Sequence, residues 1–199
     1  MIRITGGVAK GRTLKVPSGS AVRPTSDKVR QALFNILSHR FNVDFKEARV
    51  LDLFAGSGAL GLEALSRGAS HVQLVELESR HAKQISENAK VICATLERQG
   101  SPVGRAQVCT QNVSAYVLRP PTLPYQLIFM DPPYAQREEP QHLKALEGGW
   151  LAEGGYVIIE HTKHNLFELP DGWTELLRRK YGDTYVTICA RETSTDATE

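Results

Sequence analysis

From about residue 48 onward the chain repeats one pattern: a short apolar run, a turn, then a helical stretch. Val50–Phe54 is a buried-strand run, Ala59–Arg67 is helical and Val72–Val75 is a strand. Ser79–Arg98 spaces its apolar residues for a long helix, with Ile85, Ala89 and Ile92 towards a sheet. Ala106–Cys109 and Leu127–Met130 are further strands, and a helix is expected around Glu138–Glu147 before a strand at Tyr156–Ile159. Thr174–Lys180 and Tyr185–Ala190, around Gly182-Asp183, read as a closing β-hairpin. Repeated βα units of this kind can bury their apolar strands only in a mostly parallel sheet with helices on both faces. Ligands of such sheets bind beyond the carboxyl ends of the strands.

Upstream, residues 1–18 mix glycines with β-formers and read as a short hairpin or arm. Val29, Ala32, Leu33, Ile36 and Leu37 then form one apolar face of a helix ending near His39. The formal net charge of +2 hides an asymmetry. Residues 1–30 carry seven basic groups against Asp27 alone, net +6, whereas the remaining 17 basic and 21 acidic groups net −4. A basic, Gly-rich arm of this kind suits a phosphate-bearing partner. At 199 residues, the chain can bury a core without staples. Its three cysteines are widely spaced and suggest neither a disulfide framework nor a zinc site, which fits a cytoplasmic home. No apolar stretch approaches the roughly 20 residues of a membrane span, and the N-terminus has no signal-peptide core.

Two turns carry the chemistry. In Asp52-Leu53-Phe54-Ala55-Gly56-Ser57-Gly58-Ala59-Leu60-Gly61, Gly56 and Gly58 permit a tight turn at the strand end, and Gly61 lets the next helix pack closely. Glu76 ends the following strand, where a carboxylate can accept both hydroxyls of a ribose. This G-x-G-x-x-G spacing alone would also serve a dinucleotide. Asp52, however, would repel a pyrophosphate and suits the cationic amino group of a methionine moiety. That favours S-adenosylmethionine and leaves NAD open. Asn112, after the third strand, could bond an adenine edge or simply form a turn.

The second turn is Asp131-Pro132-Pro133-Tyr134, also at a strand end. The prolines withhold N–H groups and leave carbonyls to accept. The Asp131 carboxylate and the Pro132 carbonyl can hold the two hydrogens of a planar amine, and Tyr134 offers a stacking face. Such an amine is a poor nucleophile because its lone pair is delocalised, and two acceptors would aim that pair at a sulfonium methyl. The pair His161 and His164 lacks a partner cluster, so both are read as strand-end surface residues rather than metal ligands.

With these residues in place the chain resembles the class I S-adenosylmethionine-dependent amino-methyltransferases. More narrowly, it is similar to the bacterial 16S rRNA guanine-N2-methyltransferase family that modifies one guanine in the small-subunit head. The resemblance rests on Arg3-Ile4-Thr5-Gly6-Gly7 with Lys10-Gly11-Arg12, on Arg23–Arg30 running into Leu33-Phe34-Asn35, on Leu51–Gly68, and on Glu76, Asn88, Asn112 and Asp131–Tyr134. It implies a Rossmann-like, seven-stranded, mostly parallel α/β sheet with an antiparallel last hairpin. It also implies that Arg23, Pro24 and Thr25 fold over the cofactor. Asp52, Phe54, Gly56 and Gly58 would flank its methionine part, Glu76 the ribose and Asn112 the adenine. Asp131, Pro132 and Tyr134 would hold a flipped guanine, with Asp131 also facing the cofactor. Arg3, Lys10, Arg12 and Lys15 would grip 16S rRNA, within a small subunit or an assembly intermediate.

The expected division is a basic arm at 1–22, a methyltransferase domain at 23–191 and a disordered tail at 192–199, in a monomer that needs no metal. S-Adenosylhomocysteine would be the coproduct. A DNA or RNA adenine-N6 methyltransferase would share the amine site, although a DNA enzyme would usually need an extra recognition segment. A protein-glutamine methyltransferase would favour Asn at position 131. A NAD-dependent oxidoreductase would leave Asp131–Tyr134 idle, and a non-catalytic RNA-binding module need not retain both turns.

Overall fold

The computed structural model describes residues 2–16, 26–132, 139–163 and 167–192. Arg23, Pro24, Thr25, Tyr134, His164 and the expected tail beyond Glu192 lie outside the described residues. A two-stranded antiparallel hairpin, β1 (Ile2–Arg3) and β2 (Thr13–Leu14), precedes helix α1 (Asp27–His39). The chain then runs β3 (Arg49–Leu53), α2 (Ala59–Ser66), β4 (His71–Glu76), α3 (Ser79–Arg98), β5 (Arg105–Thr110) and α4 (Val113–Tyr116). It continues through β6 (Tyr125–Met130), α5 (Glu139–Leu146), β7 (Leu151–Thr162), β8 (Trp173–Tyr181) and β9 (Thr184–Arg191). Seven strands form one sheet in the order β5-β4-β3-β6-β7-β9-β8. The first five are parallel, and β9 pairs antiparallel with both β7 and β8.

Strand alternation sorts the apolar residues into two layers. Val50, Leu74, Leu127, Phe129 and Ile158 pack with Phe34 of α1, Leu62 and Leu65 of α2, and Ile85 and Ile92 of α3. Leu51, Leu53, Ile128, Met130 and Val157 face the other way, onto Val113 of α4 and Leu143 and Leu146 of α5. Helix α1 starts with Ser26 as its cap, Oγ accepting from Val29 N at 3.3 Å.

The N-terminal hairpin is part of this core rather than a loose arm. Ile2, Ile4, Ala9 and Leu14 are buried in the first layer. The Ala9 amide donates to Ser66 Oγ at 2.9 Å, and Ser66 Oγ donates to the Gly6 carbonyl at 2.7 Å. At Gly7 the backbone runs so close to α2 that a Cβ would stand 2.0 Å from the Ser66 carbonyl oxygen, at a φ of +73°. Only glycine fits there.

Arg30, one of the seven basic groups of residues 1–30, is fully buried. Its guanidinium pairs with Asp27 at 2.8 Å and with the fully buried Glu63 at 3.4 Å, and Nη2 also donates to the Arg3 carbonyl. The arm's charge towards solvent is smaller accordingly. His161, read as a surface residue, is also buried: Thr187 Oγ1 lies 2.9 Å from Nε2, and the ring stacks on Tyr185. It sits one residue after Glu160 on β7, where β9 covers it.

Candidate active site

The parallel strands deliver their last residues to one edge. Asp52 pairs with Leu74 on β4 and with Phe129 on β6, so the ends of β3, β4 and β6 stand side by side. Asp52 is 3% exposed, and its Oδ2 accepts from the Gly61 amide at 2.8 Å. That contact pins the first turn of α2 against the strand. A Cβ on Gly61 would lie 2.9 Å from Leu74 Cδ2 and 3.1 Å from Asp52 Oδ2, so the close approach read from the sequence is physically required. Burial, reinforced by the charge of Glu76 and opposed by the Gly61 amide, pushes the Asp52 carboxyl up to about 7.

Phe54 leaves the strand with φ +64°, an uncommon conformation for a bulky residue. It turns its ring edge towards His142, 5.3 Å away. Such strain, typically about 1–3 kcal/mol, persists where the surroundings enforce it and clusters at functional turns. Gly56 and Gly58 follow, and Gly58 is the residue immediately before α2. Glu76 ties the turn to β4: Oε2 accepts from the Gly56 amide at 2.8 Å and Oε1 from the Glu78 amide at 2.9 Å. Each carboxylate oxygen can accept a further hydrogen bond. Asn112 caps α4, with Oδ1 accepting from Ala115 N at 3.2 Å. Both the Asn112 cap and the Glu76 contacts use groups the sequence reading assigned to a cofactor.

Asp131 and the buried Pro132 follow β6. Burial first, then the charges of Glu160 and Asp52, hold the Asp131 carboxyl well above the usual range. The structure therefore gathers Asp52, Phe54, Gly56, Gly58, Glu76, Asp131 and Pro132 at one sheet edge. Arg3, Lys10, Arg12 and Lys15 are exposed on the N-terminal hairpin. Among the described residues, no group of three His, Cys, Asp or Glu could hold a metal ion.

Two further residues matter near this edge: Asn88, which carried part of the resemblance with no role assigned, and Glu160, which the sequence analysis did not single out. Asn88, buried on α3, binds both backbone groups of Lys15 and reaches the Ser57 carbonyl in the glycine turn at 3.5 Å. Glu160 stands at the carboxyl end of β7 and is 6% exposed. Its signal was available, because it is the first polar residue after an apolar run, as Asp131 is after Leu127–Met130.

A doubly wound sheet in this strand order, ending in an antiparallel hairpin and carrying acidic residues around a glycine turn, defines a class I methyltransferase fold. The chain belongs to the family described as Conserved hypothetical protein 95, whose model matches residues 2–190. It is 36% identical over 193 residues to Ribosomal RNA small subunit methyltransferase D of Escherichia coli strain K12, an alignment covering 96% of this chain and 90% of the relative. The solved Escherichia coli structure named "Putative methyltransferase yhhF" superposes with a TM-score of 0.76 at 34% identity, over 96% of this chain and 98% of that one. SMU.776, solved with bound SAH, shares the fold alone, with 20% identity and a TM-score of 0.59 over 82% of this chain and 48% of that one.

Proposed function

We propose that the protein transfers the methyl group of S-adenosylmethionine to the exocyclic N2 of a guanine in 16S rRNA, within the small subunit or an assembly intermediate. One observation carries the reading: Asp131 and Pro132 follow the strand that pairs directly with the Asp52 strand and its glycine turn. Amine acceptors and cofactor turn are thus neighbours. The relatedness to Ribosomal RNA small subunit methyltransferase D supports an rRNA substrate and, with it, a cytoplasmic setting.

The residues fit the cofactor. A buried acid whose charge is disfavoured in isolation gains most from a cationic partner, and Asp52 meets that description for a methionine amino group. Phe54, Gly56 and Gly58 line the same part, Glu76 takes the ribose hydroxyls, and Asn112 offers its amide NH2 to the adenine. Arg23, Pro24 and Thr25, outside the described residues, are the further cofactor contacts that the family resemblance implies. The fold's compatibility with SAH in SMU.776 supports the assignment. When bound, the cofactor supplies an electrophilic methyl on a sulfonium.

The Asp131 carboxylate and the Pro132 carbonyl accept the two N2 hydrogens, and Tyr134 stacks on the base. Their pull would localise the N2 lone pair and aim it at the methyl group that the bound cofactor would supply. Asp131 takes the proton that N2 then sheds, a role its raised proton affinity favours. Arg3, Lys10, Arg12 and Lys15 hold RNA phosphates, and the chain works as a monomer. The test is Asp131→Ala, which should bind S-adenosylmethionine within a few fold of wild type and lose turnover by a factor on the order of a hundred or more. Near-wild-type turnover would overturn the assignment.

A further inference from the structure

Glu160 stands beside Asp131. Strands β6 and β7 are parallel, with Met130 opposite Ile159, so the next rung sets Asp131 against Glu160. Neighbouring strands lie about 4.8 Å apart. Phe129 and Ile158, two residues earlier on each strand, both belong to the layer facing α1 to α3. Alternation turns Asp131 and Glu160 towards that same face, the face of Asp52. The two carboxyls feel each other: after burial, the charge of Glu160 does more than that of Asp52 to raise the Asp131 proton affinity. Side by side on one face, the two carboxyls form a pair of acceptors for hydrogen-bond donors set about one strand spacing apart.

The base edge offers such donors in only one of the two relevant chemistries. Beside the N2 amine, guanine carries N1–H, a donor. Beside the N6 amine, adenine carries N1 as a lone pair, which a carboxylate would repel.

We propose that Glu160 is a specificity-determining residue that accepts the N1–H of the target guanine while Asp131 holds its N2 amine. The inference rests on the guanine-N2 reading above and supplies it with a base-selecting contact.

The test uses small-subunit RNA in which the labelled guanine, once located, is replaced by 2,6-diaminopurine through ligation of a synthetic segment. That base keeps the N2 amine and converts N1 to an acceptor. The wild type should methylate it at least about a hundredfold more slowly than guanine, as expected when a buried polar group loses its partner. Glu160→Gln can turn its NH2 to the N1 lone pair. Because its Oε1 can still accept guanine N1–H, it should methylate diaminopurine faster than the wild type does and so shrink the preference by at least roughly tenfold. Glu160→Asp, which retains the carboxylate, should keep the preference at a lower rate. S-Adenosylmethionine binding reports folding in each variant. Equal loss on both bases, or an unchanged preference for guanine, in Glu160→Gln would overturn this inference alone. A wild type that labels no guanine would overturn the proposed function and this inference together.

Discussion

Asn88 grips Lys15 by both of its backbone groups. Its Oδ1 accepts from the Lys15 amide at 3.0 Å, and its Nδ2 donates to the Lys15 carbonyl at 2.9 Å. One side chain on α3 thus completes what a neighbouring strand would otherwise supply, and fixes the chain just after β2 beside the glycine turn. Asn88→Ala leaves an amide and a carbonyl without these partners, at a cost of about 1–3 kcal/mol. Thermal melting should fall by roughly 2–4 °C per kcal/mol lost in a chain of this size. An unchanged melting temperature would show that the clamp contributes nothing.

Glu63 organises the other attachment of the hairpin. It accepts from the Thr5 amide at 2.7 Å and from Thr5 Oγ1 at 2.8 Å, and it pairs with Arg30 and Arg67 at 3.4 and 3.0 Å. Removing one partner of a buried ion network strands the others, so Glu63→Ala should cost about 3–5 kcal/mol. Urea unfolding measures this loss. Amide exchange in residues 2–14 should accelerate with it.

Cofactor affinity should depend on pH through Asp52, whose carboxyl is raised to about 7. The folded empty protein holds a proton there that the unfolded chain releases near its ordinary value of about 4. This group's contribution to stability is therefore greatest at low pH and falls as pH rises from about 4 to about 7. A cationic amino group needs the ionised acid. Affinity for S-adenosylmethionine should accordingly weaken by roughly tenfold per pH unit below 7. Calorimetry between pH 5.5 and 8 would show the trend, and Asp52→Asn should both weaken binding and remove it.

The exposed hairpin cations give a salt-dependence prediction. Replacing Lys10, Arg12 and Lys15 together should weaken rRNA binding and reduce the slope of log affinity against log salt by about 2–3. Lys15 lies 3.9 Å from Glu87, with both side chains well exposed, so that pair costs little to break. An unchanged slope would place the RNA surface elsewhere.

Legibility in the sequence followed the strength of the local pattern. Helix α3 spans the predicted Ser79–Arg98, because twenty residues of helical apolar spacing leave little room for another reading. The four residues of α4 are too few to show a period, and that helix went unread. Strand β7 begins at Leu151, five residues before its apolar run, because the pairing with β6 shifts register between Tyr125 and Leu127. Arg30 lies three, four and seven residues before Leu33, Phe34 and Leu37, on the buried face. The spacing was visible, but its acidic partner Glu63 is 33 residues away and only the fold brings the two together. The carboxylates at the strand ends were legible one by one. Their adjacency was not, since it depends on β6 lying between β3 and β7.

The central claim is tested most directly by incubating the protein with methyl-labelled S-adenosylmethionine and undermodified small-subunit particles, digesting the RNA and identifying the labelled nucleoside. Label in N2-methylguanosine is the predicted result. Label in N6-methyladenosine, or none in RNA while the cofactor still binds, would contradict it.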